Sequence, residues 1–416
     1  MPSPERPRDE KFLAMAVETT NQRKLMVQIA TSTLLCDCKV LVQLITERKQ
    51  TLSFFEFQGF AFVARATLGE SWKTGFLFKP DGETQKQRNL ETLPTGSRLK
   101  TRLPFSMKRK QTKVGSRTLT VSNLDKVFYP ATGFTKRQVM DYYTRVADAL
   151  LPHLRNRPLT LKRYPEGVNG EFFYEKQCPA FRPQWIKVAS VWSEHRNRSI
   201  SFCLINDLAS LVWVTNLADL ELHTSLARSQ NTERPTMMVF DLDPGPGTDV
   251  LDCAQVGIWL RDVLAQLDLK AFPKTSGSKG LQLYVPLNTA VTFDQTKAFA
   301  HAVASVVAEA HSDKALTKMA KKLRDQKVFI DWSQNDHHKT TVCVYSLRAR
   351  EQPSVSTPMT WKEVEQGLKA QDAKRFFFSP EDVLKRVKKN GDLFEPVLTL
   401  KQKLRKEFTM NAAVKA

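Results

Sequence analysis

The clearest patterning of apolar and polar positions begins near Val114 and continues to about residue 405. Thr135 and Gln138 form a capping-box signature that opens a helix ending at about Leu154, with Val139 and Tyr143 on its apolar face. Short apolar runs predict buried strands. The predicted strands cover residues 237–242, 281–287, 328–332 and 341–347, and the last two are expected to pair. The other predicted helices cover residues 249–267, 293–311, 361–371 and 380–388. A further, basic helix is predicted directly after residue 311.

Strand pairs and helices alternate irregularly in this region, which predicts an α+β (mixed α/β) fold. The chain divides into an N-terminal region of unknown role (1–97), a basic linker (98–113), a catalytic-type domain (114–405) and a C-terminal tail (406–416). In the first region, two apolar stretches at 27–45 and 54–66 are compatible with short strands or with a small helical pair. The linker is inferred from a run of Lys and Arg without acidic residues, interrupted by Pro and Gly.

The amino-acid composition indicates a class of binding partner. The 416 residues include 63 Lys and Arg against 43 Asp and Glu, a net charge of +20, which favours binding to a polyanion such as nucleic acid. The six cysteines contain no CxxC pair, so zinc is not expected and the thiols are expected to be free. No N-terminal signal and no run of 18 apolar residues is present, which predicts an intracellular protein without a membrane partner.

The segment MMVFDLDPGPGTD carries the strongest chemical signal. Side chains alternate along a strand, so Asp241 and Asp243 share one face while Leu242 points into the core. Paired carboxylates repel unless a cation lies between them, and oxygen ligands suit Mg²⁺ or Mn²⁺. Asp331, in KVFIDWSQN, ends another apolar run. Two strand ends supplying three carboxylates are typical of two-metal phosphoryl chemistry, although a lone DxD pair is as often a strand end or a helix cap.

Two further segments fit a phosphate-binding role. Ser276 to Gly280 in PKTSGSKG is a small-residue turn whose backbone N–H groups could approach phosphate, with Lys279 adding charge. Arg348 in SLRAR could neutralise a triphosphate. The alternatives are a plain Gly-Ser turn and an exposed edge strand.

Taken together, these segments resemble the primase–polymerase domain of bacterial DNA ligase D, a member of the archaeo-eukaryotic primase superfamily that serves non-homologous end joining. The similarity covers about Val114 to Arg405 through SNLDKVFYPATGFTK, RPLTLKRYPEGVNGEFFYEK, LADLELH, VFDLDPG, PKTSGSKG and VFIDWSQN followed by SLRAR. It implies a primase-like catalytic core and template-dependent addition of rNTPs or dNTPs to 3′ ends of DNA gaps or breaks, with two Mn²⁺ or Mg²⁺ ions.

The resemblance also implies roles for individual residues. It assigns the metal ions and catalysis to Asp241, Asp243 and Asp331. It assigns the 5′-phosphate and the primer end of DNA to Lys126, Lys136 and Arg324. It assigns the incoming nucleotide or stacked bases to Lys162, Phe172, Phe173, His223, Ser276, Lys279, Gln282, Gln334 and Arg348. For the two phenylalanines the alternative is the hydrophobic core.

Gln282 departs from the family pattern, which has a histidine there. A glutamine can donate a hydrogen bond to phosphate but carries no charge, so nucleotide binding is expected to be weaker. This favours, as an alternative, a non-catalytic module that binds and bridges DNA ends. A primase that starts chains without a primer is a further alternative, although the lysines matched to a 5′-phosphate favour gap filling. The implied partners are DNA ends or gapped duplex, with an end-joining ligase and an end-binding protein supplied separately. The implied location is the bacterial cytoplasm, in association with the nucleoid.

Overall fold

A computed structural model describes residues 109–193 and 196–405, and, within the first 108 residues, the backbone of short strands. The chain divides into two compact units, Met1–Lys100 and Thr101–Ala416. The strands of the first unit are Ala16–Val17 (β1), Leu25–Met26 (β2), Ile45–Glu47 (β3), Gln50–Phe57 (β4), Phe60–Thr67 (β5) and Lys73–Leu77 (β6).

In the first unit, β3 to β6 form an antiparallel four-stranded sheet in chain order, and β1 pairs with β2. Residues 54–57 and 60–66 of the second apolar stretch are therefore strand, because they form the end of β4 and most of β5. Residues 27–44, 98–108 and 406–416 lie outside the described residues, as do Cys36 and Cys38.

The second unit is mixed α/β, as the sequence predicts. Its helices are Lys136–Arg145 (α1), Ala147–Leu154 (α2), Leu208–Asn216 (α3), Val250–Gln266 (α4), Phe293–Ala310 (α5), Trp361–Lys369 (α6), Pro380–Asn390 (α7) and Pro396–Thr399 (α8). None of the helices among the described residues is long and apolar enough to cross a membrane.

The strands of the second unit form two main sheets and several two-stranded pairs. They are Arg109–Val114 (β7), Arg117–Ser122 (β8), Val127–Tyr129 (β9), Phe134–Thr135 (β10), Leu159–Arg163 (β11), Phe173–Glu175 (β12), Val188–Ser193 (β13), Arg198–Cys203 (β14), Asp219–Thr224 (β15), Ala227–Arg228 (β16), Asn231–Pro235 (β17), Met237–Pro244 (β18), Phe272–Thr275 (β19), Leu281–Pro286 (β20), Ala315–Leu316 (β21), Val328–Asp331 (β22), Thr341–Val342 (β23), Leu347–Arg348 (β24) and Ser354–Val355 (β25).

One sheet has the order β13-β14-β11-β15-β23, with β12 paired to β11, and the other has the order β19-β20-β18-β22-β21. Strand β18 alternates between two buried clusters. Met238, Phe240 and Leu242 pack in the core that contains α4 and α5, whereas Val239 packs in the core of the first sheet. The side chains of Asp241 and Asp243 follow the register of Val239, so they face away from α4 and α5.

Several predicted boundaries hold because their capping chemistry is local. Thr135 caps α1 with Gln138 as its capping-box partner, and Asp249 caps α4. The predicted helix 135–154 is interrupted at Val146, which ends α1 and begins α2. Residues 109–113 of the predicted linker are strand, because β8 offers a partner whose Leu119 and Val121 are buried.

Two element predictions are wrong. No α-helix follows α5 directly; residues 315–316 are strand and Lys321–Leu323 is a single 3₁₀ turn. Met319 and Leu323 are exposed, so this basic stretch has no apolar face to pack, and packing supplies most helix stability. Residues 341–347 do not pair with β22, because β23 pairs with β15 and Tyr345 takes a positive φ of 64°.

The expectation of free thiols holds only in part. Cys178 and Cys203 form a disulfide, while Cys253 and Cys343 are free and buried. The pair is 25 residues apart, and it meets because the backbone N–H of Cys178 donates to Ser201 O on β14. The bond thereby ties the segment after β12 to β14, a long-range contact that spacing alone does not reveal.

Candidate active site

Four polar residues lie in one row across the second sheet. Asp331 on β22 is paired with Asp241 on β18, Asp241 with Gln282 on β20, and Gln282 with Lys274 on β19. Residues paired across adjacent strands project from the same face of a sheet. The row therefore places two carboxylates, an amide and an ammonium side by side, although they come from four separate strands.

The carboxylates of this row perturb one another. Burial raises the pKa of Asp241, and the charges of Asp243 and Asp331 raise it further. Burial and Asp331 also raise the pKa of Asp243, while Arg324 and Arg348 oppose that shift. Neighbouring carboxylates behave this way when no cation neutralises them. Three oxygen donors of this kind suit Mg²⁺ or Mn²⁺, so the side chains present fit a divalent ion.

The turn after β22 fixes the orientation of Asp331. Its Oδ1 accepts hydrogen bonds from the backbone N–H of Ser333 (3.0 Å) and from Ser333 Oγ (2.5 Å), and its Oδ2 accepts one from Gln334 Nε2 (2.7 Å). The predicted nucleotide residue Gln334 thus contacts a predicted metal ligand directly. The negative charge of Asp331 also acts on Asp241 and Asp243 and raises the pKa values of both carboxyls.

Asn335 fastens this turn to β18. Its side chain is fully buried; Oδ1 accepts from Val239 N (2.8 Å) and Nδ2 donates to Val239 O (2.7 Å). The amide therefore pairs with the backbone of β18 two residues before Asp241, which sets the position of the Asp331 turn relative to that strand.

Gln282 links Asp241 to a buried ammonium. Lys274 is 0% exposed, and its Nζ donates to Gln282 Oε1 (2.5 Å) and to Ser356 Oγ (2.6 Å). The Gln282 side chain also hydrogen-bonds Asp241 and lowers the pKa of that carboxyl. Sequence reasoning placed Gln282 beside the phosphate-binding turn and overlooked Lys274, although Lys274 stands two positions before Ser276 and strand alternation gives both one face.

The turn 276–280 is built around a serine hydroxyl. Ser276 Oγ accepts hydrogen bonds from the N–H groups of Ser278 (3.1 Å) and Gly280 (3.0 Å), and Lys279 is exposed. Gly277 has a φ of 67°, and a Cβ there would lie 2.6 Å from Ser356 N, so this position requires glycine.

Arg348 joins this turn to a second cluster, centred on Glu221. Arg348 Nη1 donates to Ser276 O (2.6 Å), and its Nε lies 3.2 Å from Glu221 Oε2. The same carboxylate oxygen lies 3.2 Å from Lys162 Nζ and 3.1 Å from His223 Nε2. Three side chains predicted to bind the nucleotide thus converge on one acid, whose side chain is only 2% exposed.

Burial and charge compete in this cluster. Burial alone would raise the pKa of Glu221, but the His223 hydrogen bond and the charges of Arg348 and Lys162 hold it far below its usual range. Burial lowers the pKa values of His223 and Lys162 against the opposing pull of Glu221. Sequence reasoning missed Glu221, although it lies two residues before His223 in LADLELH and therefore on the same strand face.

Three aromatic rings surround Lys162. Its Nζ lies 4.6 Å from the ring centroid of Phe172, 5.3 Å from Tyr164 and 5.5 Å from Tyr174. Phe172 is 50% exposed and Phe173, whose ring lies against Arg163, is 43% exposed. These exposures exclude the hydrophobic core as the location of the two phenylalanines, and the Phe172 ring also stacks on Tyr164, with centroids 5.2 Å apart.

The two lysines predicted to bind a 5′-phosphate differ in environment. Lys126 is partly exposed and pairs with Glu166 (2.7 Å). Lys136 is 4% exposed, and its Nζ donates to Ser122 O, Asn216 O and Asn216 Oδ1 at 2.6–2.8 Å. Their backbones are joined, since Lys136 N donates to Lys126 O (2.8 Å). Lys136 therefore holds the segment that presents Lys126.

Arg324 lies beside the carboxylates. Its guanidinium lies 3.8 Å from the ring centroid of Phe329, which is paired with Asp243 across β18 and β22, and its charge lowers the pKa of Asp243. The Arg324 side chain is thus next to the aspartates, in a position compatible with the predicted contact near a primer end.

Comparison with known proteins gives a consistent match. Residues 135–394 match the family model described as LigD, primase-polymerase domain. The multifunctional non-homologous end joining protein LigD of Mycolicibacterium smegmatis is 38% identical over 298 residues, which cover 71% of this chain and 37% of that protein. The bifunctional LigD of Bacillus subtilis is 32% identical over 274 residues, covering 66% of this chain and 43% of that protein.

Among solved structures, the polymerase domain from Mycobacterium tuberculosis ligase D in complex with DNA is similar, with a TM-score of 0.63 and 39% identity. The match covers 68% of this chain and 99% of that one, whereas the chain spans less than half the length of the curated relatives. Because the family model covers more than half of the sequence, the chain belongs to the LigD primase–polymerase domain family and is a nucleotidyltransferase.

Proposed function

We propose that this chain adds nucleotides, under the direction of a template, to 3′ ends at DNA gaps or double-strand breaks during non-homologous end joining. The relatives are named for end joining, and the similar solved domain is in complex with DNA. The observation that carries the proposal is the row formed by Asp331, Asp241, Gln282 and Lys274, with Asp243 beside it. It supplies carboxylates at two adjacent strand ends.

Asp241, Asp243 and Asp331 would hold two divalent ions, Mn²⁺ or Mg²⁺. When bound, such ions activate a hydroxyl nucleophile and neutralise the charge of the transferring phosphoryl group. Ser333, Gln334 and the Asn335 amide hold the Asp331 carboxylate in place. Gln282 holds Asp241 by a hydrogen bond, and the Lys274 charge offsets part of the repulsion between the acids.

The remaining cations bind the nucleotide. Arg348 lies between the Ser276 turn and Glu221, so its guanidinium can meet a triphosphate at the turn without moving far. Lys162 and exposed Lys279 extend the positive charge, and His223 adds an imidazole that can hydrogen-bond the nucleotide. Glu221 keeps three of these side chains oriented before the nucleotide arrives, which reduces the ordering cost of binding.

The aromatic rings and Lys126 are assigned to DNA. Phe172 and Phe173 present exposed faces on which template bases or the nucleotide base can stack. Lys126 exchanges its partner Glu166 for a 5′-phosphate, and Arg324 lies near the primer end. An end-joining ligase and an end-binding protein remain predicted partners that act separately, and association with the bacterial nucleoid in the cytoplasm remains a prediction.

The test is primer extension by the purified full-length chain on a gapped duplex with a 5′-phosphate. It compares rNTPs with dNTPs and Mg²⁺ with Mn²⁺. Templated addition that requires a divalent ion is expected. If the chain binds the gapped duplex but adds no nucleotide with either ion, the proposal is wrong and the chain is a non-catalytic module that binds DNA ends. Synthesis that starts without a primer would identify a primase instead.

Gln282 no longer favours the non-catalytic alternative. Its amide is engaged by both Asp241 and Lys274, so the departure from the family histidine lies inside the carboxylate row and not at the exposed phosphate turn.

A further inference from the structure

The turn after Gln334 carries a group of ligands that the polymerase chemistry does not use. Among the residues that the structure describes, one ligand atom each from Asp336, His337 and His338 lie within 4.8 Å of one another. Asp336 and His337 are partly buried and His338 is exposed, so an ion can reach them from solvent. We propose that these three residues form a second metal site that takes a first-row transition ion such as Zn²⁺ or Co²⁺.

The donor chemistry distinguishes this site from the aspartate row. Two imidazole nitrogens and one carboxylate suit zinc, cobalt, nickel and iron, whereas an all-carboxylate set suits magnesium and manganese. The two His rings already lie together, with centroids 3.5 Å apart. His337 Nδ1 is 3.8 Å from Asp336 Oδ1. Ligand atoms around zinc lie about 3–3.5 Å apart when each bond is about 2.0–2.2 Å, so a small rotation closes the set.

The carboxylate of the site is held from outside. Asp336 Oδ2 accepts from Lys297 Nζ (2.7 Å), and Oδ1 accepts from the backbone N–H of His338 (3.0 Å). Carboxylates that bind metals are commonly fixed by such outer hydrogen bonds. Lys297 binds Oδ2 of Asp336, and Oδ1 of the same carboxylate lies on the side of the two histidines. Lys176 Nζ donates to His338 O (3.0 Å) and fixes the backbone at the far end of the turn.

The site shares its turn with the active site. Lys339, the residue after His338, donates from Nζ to Ser333 Oγ (2.6 Å), and that hydroxyl donates to Asp331 Oδ1 (2.5 Å). An ion on 336–338 therefore fixes the turn that orients Asp331. This gives the second ion a route to influence nucleotide addition without belonging to the reacting centre.

The experiment is a titration of the full-length chain with Co²⁺, followed by its visible ligand-field absorption, with excess Mg²⁺ present to occupy the aspartates. Wild type is expected to develop absorption bands that Zn²⁺ abolishes by displacement. His337→Ala with His338→Ala should remove the bands. Loss of outer-shell partners alone costs about 10–100-fold in metal affinity, so Asp336→Asn, which removes a direct ligand, should weaken binding by at least about tenfold.

Two controls locate the ion. Asp241→Asn should bind Co²⁺ as wild type does, because its change lies in the aspartate row. His311→Ala, which removes an imidazole stacked on Trp259, should also leave binding unchanged. The proposal is overturned if wild type gives no bands, if Asp241→Asn abolishes them, or if Asp336→Asn binds as tightly as wild type, which would reveal only an adventitious histidine pair. Circular dichroism of each variant verifies that it is folded.

Discussion

Asp241 on β18 lies directly opposite Asp331 on β22, so two carboxylates that are distant in sequence face the same side of one strand pair. Asp243 adds a third charge beside them, and burial with this mutual repulsion raises the pKa values of Asp241 and Asp243. The folded chain tolerates this repulsion at a cost in stability, which is the expected condition of a site built for cations.

We predict that Asp241→Asn or Asp331→Asn reduces nucleotide addition at least about a hundredfold while binding to gapped DNA changes less than about threefold, since removing one transition-state electrostatic group costs about 10²–10³ in kcat. Asp241→Asn should also keep or raise the melting temperature, because it removes a repelling charge. Primer extension, DNA binding and thermal unfolding measure the three effects. Exposed Asp313→Asn is the matched control, and extension by Asp331→Asn within a few-fold of wild type would refute the metal assignment.

A second prediction concerns Gln282, whose side chain bridges Lys274 and Asp241. Gln282→Leu leaves the buried Lys274 ammonium with Ser356 Oγ alone of its two acceptors, and an under-satisfied buried polar group costs about 1–3 kcal/mol, more when charged. We expect a lower melting temperature and a lower kcat. A neutral histidine can accept on one nitrogen and donate on the other. Gln282→His should therefore retain both properties, with KM for the nucleotide changed less than about twofold.

Steady-state kinetics on the same gapped substrate separates the possibilities. A KM that falls several-fold in Gln282→His, with kcat unchanged, would mean that this position contacts the triphosphate, as the sequence alone suggested. Equal kcat values in Gln282→Leu and wild type would show that the bridge has no part in the reaction.

The sequence was sufficient where the determining interactions are local. Caps at Thr135 and Asp249 need only the following turn, and strand alternation puts Asp241 and Asp243 on one face. The apolar run that ends at Asp331 and the basic segment SLRAR likewise indicated Asp331 and Arg348. Local patterns also misled, because the basic stretch after α5 has helical composition but no apolar face, and its Met319 and Leu323 remain exposed.

The sequence was insufficient where long-range pairing decides the environment. Lys274 and Glu221 look like ordinary strand residues, and their roles depend on registers between β19 and β20 and between β11 and β15. The same holds for Lys136, whose motif indicates a phosphate contact although its three hydrogen bonds are internal. A charged residue buried by tertiary contacts cannot be recognised before those contacts are known.

We predict that Lys126 and Lys136 have separable effects. Lys126→Ala should remove most of the preference for a 5′-phosphorylated gap and flatten the salt dependence of binding by about one unit of slope, with little effect on stability, because its ion pair with Glu166 is exposed. Lys136→Met removes three hydrogen bonds at a nearly buried position and should lower the free energy of unfolding by about 1–3 kcal/mol or more. A 5′-hydroxyl gap is the control substrate.

The pH dependence distinguishes Lys136 further. Burial lowers its pKa from 10.5 to about 8, so between these values the unfolded chain binds more protons than the folded chain. The stability of wild type should therefore contain a contribution that rises with pH across that window, and Lys136→Met should lack it. Denaturant unfolding at several pH values measures this difference. An identical slope in both proteins would contradict the burial of a charged Lys136.

The exposed ring of Phe172 allows a separate test of base stacking. Phe172→Ala should weaken binding of template DNA or nucleotide by about 1–3 kcal/mol, the usual contribution of one stacked base. It should leave stability nearly unchanged, because the ring is half exposed. Phe181→Ala is the matched control, since that ring is 68% exposed but lies against Trp213 and not beside Lys162. Equal losses in both variants would point to a general surface effect.

The last prediction concerns Glu221, which balances Lys162, His223 and Arg348. Removing one partner of a buried ion pair costs about 3–5 kcal/mol, because the remaining charge is left uncompensated. Glu221→Gln should therefore lower the free energy of unfolding by a large part of that amount and raise KM for the nucleotide more than it lowers kcat. Exposed Glu233→Gln is the control and should change neither quantity.

A second substitution distinguishes positioning from simple destabilisation. If Lys162 is left unbalanced in Glu221→Gln, then adding Lys162→Met should recover part of the lost stability, because it removes the uncompensated charge. It should not recover nucleotide affinity, since Lys162 is itself proposed to bind the triphosphate. Denaturant unfolding and nucleotide titration of wild type, both single variants and the double variant give a double-mutant cycle that measures the coupling between Glu221 and Lys162. Additive losses of stability in the double variant would mean that Glu221 and Lys162 do not balance each other, and the cluster would then have no role in preparing the nucleotide site.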